Sequence, residues 1–348
     1  MPPPLPSSPT FTPAWWLPGG HAQTIWVRAC RHPRAFGYER ELLPTPDGDE
    51  LALDHAAGPA GSPRVLLLHG LEGSSYSLHM TRLAGLLTRT GVRVTLLNFR
   101  SCARDPRDVN QRLQNRRPRL YHSGETGDLD LVVSTLAARE PGTPLAALGI
   151  SLGGNVLLKW LGERGASSPV RAAAALSVPY DLGTASTFLE RRVGGFYVEH
   201  FLRTLREKAL SVLARFPVEA GHLSADRIRG ARTFAAFDDS VTAPLHGFAS
   251  AAEYYDRSSS LHFLSRIAVP TLCLSAADDP FSPAATLPRA RQAASSSVDF
   301  QVTPRGGHVG WVAGRWPLSP RYWGEQQAVS FILKQLQNVA VASAARAL

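Results

Sequence analysis

The sequence predicts an α/β protein built on one mostly parallel sheet, with helices on both faces and a single helical insertion. Short apolar runs such as RVLLLH at 64–69 and PLAALGIS at 144–151 have the composition of strands buried on both sides, as a parallel sheet requires. Segments with helical spacing separate these runs, the order that produces right-handed crossovers. From 182 to 264 only helical segments are evident, and strands resume at 269.

Each element follows from its own residues. Residues 1–12 are rich in Pro and Ser and are expected to be mobile. Residues 40–57 are expected to form a hairpin turning at Asp47 and Gly48. After the 64–69 strand come a helix at 77–91 ending on Gly91 and a second buried strand at 92–99. A helix at 126–140 is expected to be capped by Thr126 or Asp128. The 144–151 strand, a helix at 153–165 and a strand at 170–179 follow. Strands at 269–279 and 298–304 and a last helix at about 324–344 complete the expected core, 1–181 with 265–348; the insertion is 182–264.

Composition limits the function classes. Of 348 residues, 44% are apolar and 19% charged, which excludes general disorder. The net charge of +9 favours anionic partners. No nucleic-acid-binding signature accompanies it, and no nucleic-acid partner is expected. The densest run, 100–119, holds seven arginines and two aspartates and is expected to be a solvated loop. Cys30, Cys102 and Cys273 form neither a CxxC pair nor a zinc spacing, so no metal is expected and a reducing compartment is. The N-terminus lacks a basic leader, and no window reaches the 18 apolar residues of a span, so a cytoplasmic protein is expected. Trp15 and Trp16 are expected to pack into the core, with peripheral lipid contact as the alternative.

The chemistry-bearing motif is Gly149-Ile150-Ser151-Leu152-Gly153. It closes an apolar strand and opens a helix, the setting of a nucleophile elbow in an α/β-hydrolase fold. A sharp turn there strains Ser151 and lifts its hydroxyl to the helix N-terminus, where developing negative charge is stabilised. The backbone N–H of Leu152 is one expected oxyanion donor. The N–H of Leu71, in the loop His69-Gly70-Leu71-Glu72-Gly73, is the second.

A serine needs a base, and in this fold the order is Ser, acid, His. His308 follows the 298–304 strand, and Asp278 and Asp279 end the 269–279 strand. His308 is therefore the expected base. The spacing from Asp279 to Pro283 favours Asp279 as the acid, with Asp278 as the alternative. His69 is expected to hold the oxyanion loop. His122, His222 and His246 lie in loops without a strand-end setting.

Six segments together resemble the YheT-like branch of the α/β-hydrolases: PGGHAQTIW (18–26), LLLHGLEGSSYS (66–77), YHSGETGDL (121–129), GISLGGNVLLKWLGE (149–163), AADDPFSP (276–283) and GGHVGW (306–311). The resemblance runs from about residue 14 to the last helix. It implies a carboxylesterase or acyl-lipid hydrolase using Ser151, Asp279 and His308, without metal or organic cofactor, on a small-molecule acyl ester. One departure stands out: relatives have a glycine-rich stretch where this chain has Ser101-Cys102-Ala103-Arg104-Asp105, so the local loop is expected to differ. A thioesterase, an acyltransferase and a ligand-binding scaffold with an idle triad are the rival readings. In the insertion, Phe188, Phe196, Tyr197, Phe201, Leu202 and Leu205 are expected mostly to form its own core, the remainder lining an acyl pocket. Trp311 either walls that pocket or packs.

Overall fold

A computed structural model describes residues 10–29, 37–191 and 195–346. Its centre is an eight-stranded sheet: β1 (Glu39–Pro44), β2 (Glu50–Ala56), β3 (Arg64–Leu68), β4 (Arg93–Asn98), β5 (Leu145–Ile150), β6 (Val170–Leu176), β7 (Thr271–Ala276) and β8 (Val298–Thr303). Across the sheet the order is β1-β2-β4-β3-β5-β6-β7-β8. β1 and β2 form the antiparallel hairpin, β2 meets β4 antiparallel, and every pairing from β4 to β8 is parallel.

Alternation along β3 shows how the sheet is buried. Leu66 and Leu68 enter one core, with residues of α3 (Gly127–Arg139) and α4 (Leu152–Arg164). Val65 and Leu67 enter the other, with Met80, Leu83 and Leu87 of α2 (Leu78–Arg89) and Ile332 and Leu336 of the C-terminal helix Trp323–Arg346. Each such leucine is fully buried, worth about 2 kcal/mol. All eight strands were legible in the sequence. Among the elements that were not are α1 (Gly19–Ala29), a short helix Leu287–Ala293, and a two-stranded ribbon pairing Val312–Ala313 with Arg321–Tyr322.

Between β6 and β7 the chain forms α5 (Leu182–Glu190), α6 (Phe196–Arg215), α7 (Ala225–Gly230), α8 (Phe234–Phe237), a π-helical turn Asp238–Thr242, α9 (Ala243–His246) and α10 (Ala251–Ser258). Tyr197, Phe201, Leu202 and Leu205 of α6 sit in a core of this helical segment, with Leu71 and Phe281 of the sheet domain against it. Phe188 is half-buried, and the Phe196 side chain lies outside the described residues.

Several expectations are corrected here. The run at 100–119 is a loop solvated only in part: Arg107, Arg116 and Arg117 are exposed, but other arginines are drawn into ion pairs. Arg100 is buried and ion-paired with Asp49 at 2.9 Å and Asp128 at 2.7 Å; Arg112 reaches Glu72, and Arg119 reaches Glu125. Buried guanidinium demands such partners. Thr126 stands at the N-cap position of α3, but its side chain makes no capping hydrogen bond, and Asp128 is committed to Arg100; the Glu125 carboxylate accepts the Gly127 N–H instead. In the segment expected to differ, Ser101 takes a left-handed backbone (φ +60°), held by the Asn115 side chain. Trp16 packs edge-on to Trp26, but Trp15 is exposed, only its indole N–H engaged, by the Arg315 carbonyl. Cys30 and residues 1–9 lie outside the described residues; Cys102 and Cys273 are buried and free.

Candidate active site

Ser151 stands between β5 and α4 with φ +53° and ψ −118°, a strained conformation for a residue with a side chain. Two glycines make the turn possible. A Cβ on Gly153 would lie 2.5 Å from the His69 carbonyl and 2.6 Å from that of Leu68, and one on Gly70 would lie 3.3 Å from Ser151 Cβ. The oxyanion loop therefore runs directly past the serine.

His308 and Asp279 lie in the loops after β8 and β7, at the same sheet edge as Ser151. His308 Nε2 is 2.9 Å from Ser151 Oγ, and its Nδ1 is 2.9 Å from Asp279 Oδ2. A carboxylate accepts, so Nδ1 carries the hydrogen and Nε2 is left to accept the serine O–H. Asp279 is buried and also accepts the Phe281 N–H at 2.7 Å; the Phe281 ring stacks on His308 at 4.3 Å. Asp278 makes a different contact: its Oδ1 accepts the Gly307 N–H at 2.8 Å and so braces the His308 loop.

Sequence reasoning missed the supports of that loop. The His308 N–H donates to Thr24 Oγ1 of α1, and the Val309 N–H donates to Ser177 Oγ. Gln23 Oε1 accepts the Val312 N–H. The segment PGGHAQTIW carried the family resemblance, but nothing local showed that two of its polar side chains reach a loop nearly 300 residues away. Trp311 donates to Thr303 Oγ1 and is buried beneath this loop, outside the cavity wall.

The other expected donor residues are adjacent. Leu152 is the first residue of α4, so its N–H is one of the helix-start donors lacking an intrahelical acceptor. The Leu71 N–H donates to no protein group among the described residues. The loop carrying it is held on both sides. His69 Nδ1–H donates to the Gly70 carbonyl at 2.7 Å, while its Nε2 accepts the Phe99 N–H. Burial lowers the His69 imidazole to about 4 and keeps it neutral. Next to Leu71, Glu72 has φ +57° and gives its N–H to Tyr121 Oη at 2.7 Å. The Glu72 carboxylate accepts from Tyr121 Oη, from Lys208 Nζ of α6 at 2.6 Å, and pairs with Arg112 at 3.1 Å. Burial opposes the charge on Glu72, but Lys208 and Arg112 outweigh it and hold its carboxyl below the usual range.

A cavity of about 490 Å³ opens beside these groups, lined by Ser151, His308 and Leu71 of the sheet domain and by Phe201, Leu205 and Phe237 of the helical segment. His122, Glu125 and His246 offer ligand atoms within 4.8 Å of one another. Glu125 also serves Arg119 and the start of α3, His122 Nδ1 accepts the Gly124 N–H, and His122 Nε2 lies 3.6 Å from Glu125 Oε2.

The family model for the alpha/beta hydrolase fold matches residues 63–311. This chain belongs to the α/β-hydrolases. Within them it falls in the YheT-related branch: it is 34% identical to the "Putative esterase YheT" of Escherichia coli over 95% of each chain. It is 31% identical to "Phospholipase ABHD3" of Mus musculus, covering 90% of this chain and 76% of that one. Among solved structures, a Pyrococcus furiosus esterase, Pf2001, superposes with a TM-score of 0.54 at 18% identity, over 86% of this chain and 93% of the other, a likeness of fold. No helix among the described residues is long and apolar enough to cross a membrane.

Proposed function

We propose that this chain is a serine carboxylic-ester hydrolase in which Ser151, His308 and Asp279 form the catalytic triad. The observation that carries the reading is the position of His308, within 2.9 Å of both Ser151 Oγ and Asp279 Oδ2. His308 takes the proton as Ser151 Oγ attacks the ester carbonyl, and Asp279 fixes the imidazole tautomer and stabilises the imidazolium. The N–H groups of Leu71 and Leu152 receive the oxyanion, each worth on the order of 10²–10³ in rate. Collapse expels the alcohol with the proton from His308 and leaves an acyl-enzyme on Ser151. Water, deprotonated by His308, then releases the acid and regenerates the serine.

Residues 182–264 serve as a cap over the cavity. Its apolar wall, together with relatives named as esterase and phospholipase, supports an acyl ester as substrate. Free buried thiols at Cys102 and Cys273 fit a reducing compartment such as the cytoplasm. The test is a series of p-nitrophenyl esters of rising acyl length, followed in the pre-steady state. A burst equal to the enzyme concentration, with kcat/KM peaking at the length that fills the cavity, supports the proposal. Turnover that survives Ser151→Ala contradicts it.

A further inference from the structure

The cavity wall contains one acidic side chain besides the paired Glu72, and it is Asp238. Asp238 follows α8 and begins the π-helical turn. Such turns re-aim a side chain by inserting a residue into the helix, and they recur at functional sites. Thr242 Oγ1 donates to Asp238 Oδ1 at 2.5 Å, and Tyr255 Oη donates to Oδ2 at 2.6 Å. Thr242 and Tyr255 line the cavity as well.

Two neutral donors do not satisfy a carboxylate, which offers about four acceptor positions. No Lys, Arg or His pairs with Asp238 among the described residues. The charges that act on it are of its own sign, Asp239 and Glu190. Burial first, and then these two acids, push its carboxyl up to about 6 against the help of Thr242 and Tyr255. A half-buried acid without a counter-charge still costs stability, and an amide or an apolar side chain of similar size would fill the same space at less cost. Its remaining acceptor positions are free for a ligand in the cavity, whose wall there also carries Phe234, Phe237, Tyr254 and Tyr255.

We propose that Asp238 is a binding residue for a hydrogen-bond donor on the substrate, a hydroxyl or an ammonium group borne at the end remote from the ester carbonyl. The preferred substrate then has an apolar body with a donor at one end. A site built to pair a donor discriminates against the analogue lacking it, because the carboxylate is then left unpaired. Tyr254, Tyr255 and the phenylalanines further favour an ammonium over a hydroxyl through their ring faces. This inference rests on Ser151 being the nucleophile that hydrolyses the ester.

The experiment compares three matched ester series of equal chain length, ending in methyl, hydroxyl or ammonium. p-Nitrophenyl esters place the terminal group on the acyl side. Esters of one fixed acid with ω-substituted alcohols, followed by acid release, place it on the alcohol side. Wild-type enzyme is expected to favour a donor-ended ester over its methyl-ended partner by about tenfold or more in kcat/KM on one side, equal to about 1.4 kcal/mol. The hydroxyl and ammonium arms tell which donor is read. In Asp238→Asn and Asp238→Leu the ratio falls to within about threefold of unity. Equal rates for donor-ended and methyl-ended esters on both sides in the wild type overturn the proposal without recourse to any variant. So does a ratio that persists in both variants. Fluorophosphonate labelling of every sample separates the two readings: a wild type that labels yet shows no donor preference sinks only the role of Asp238, whereas one that neither labels nor hydrolyses sinks the nucleophile assignment and this inference with it.

Discussion

Lys208→Met tests whether the helical segment holds the oxyanion loop in place. Lys208 Nζ lies 2.6 Å from Glu72 Oε1, with both side chains buried, and Glu72 adjoins the proposed donor Leu71. Removing one partner of a buried pair costs about 3–5 kcal/mol when the other charge is left alone. Here Arg112 still reaches Glu72 Oε2 at 3.1 Å and Tyr121 still donates to Oε1, so the loss should be about 2–3 kcal/mol. For a chain of this size that is a fall in Tm of about 3–4 °C. A loosened oxyanion loop should also lower kcat by about tenfold, less than the full loss of one donor. The assay is a double-mutant cycle of Lys208→Met and Glu72→Gln, read by urea unfolding and by ester turnover. The paired variant should recover at least about 1.5 kcal/mol relative to the sum of the singles. Additivity within about 0.5 kcal/mol, with kcat unchanged in Lys208→Met, would refute the reasoning.

Other outcomes follow from the same geometry. Asp279→Asn should lower kcat by about 10³–10⁴ by unsettling the His308 tautomer, while Asp278→Asn, at a side chain that holds backbone N–H groups at Gly306 and Gly307 and does not contact the imidazole, should cost far less; the reverse ranking in steady-state kinetics would exchange their roles. Gly153→Ala forces a Cβ against the carbonyls of Leu68 and His69 and should destabilise by about 2–3 kcal/mol in urea unfolding; an unperturbed midpoint would contradict the close packing of the turn. Burial depresses His69 to about 4 and His122 and His246 to about 3, so the unfolded chain takes up protons before the folded one does. Stability is therefore full above pH 6.5 and falls as pH drops toward 4, by on the order of 2–3 kcal/mol from His69 alone. His246→Gln should flatten that slope in unfolding curves taken from pH 7.5 to 4.5, and an unchanged slope would count against a buried neutral imidazole.

Much of the fold could be read locally because a strand buried on both faces needs a continuous apolar run, and β3 and β5 have one. The order of Ser151, Asp279 and His308 was legible for a similar reason: each sits at a strand end marked by glycine or proline, and the three meet at one sheet edge. Other features depend on partners distant in sequence. Arg100 looked like one cation in a basic run because Asp49 and Asp128 are brought to it only by the fold. α1 shows its purpose only in the fold, where its Gln23 and Thr24 act through hydrogen bonds to the His308 loop. Glu72 gave no signal of its own, since its partners come from three separate segments, at Arg112, Tyr121 and Lys208. Between Asp278 and Asp279, sequence offered only a spacing to proline, whereas the hydrogen bonds give each a distinct partner.

The central claim is that Ser151 is an activated nucleophile. Its most direct test is treatment of the purified protein with a fluorophosphonate probe, followed by peptide mass spectrometry of the adduct, with Ser151→Ala beside the wild type. The account predicts stoichiometric modification on the peptide containing Ser151, absent from Ser151→Ala and much slower in His308→Ala. Folded wild-type protein that stays unmodified, or an adduct on any other residue that persists in Ser151→Ala, would contradict it.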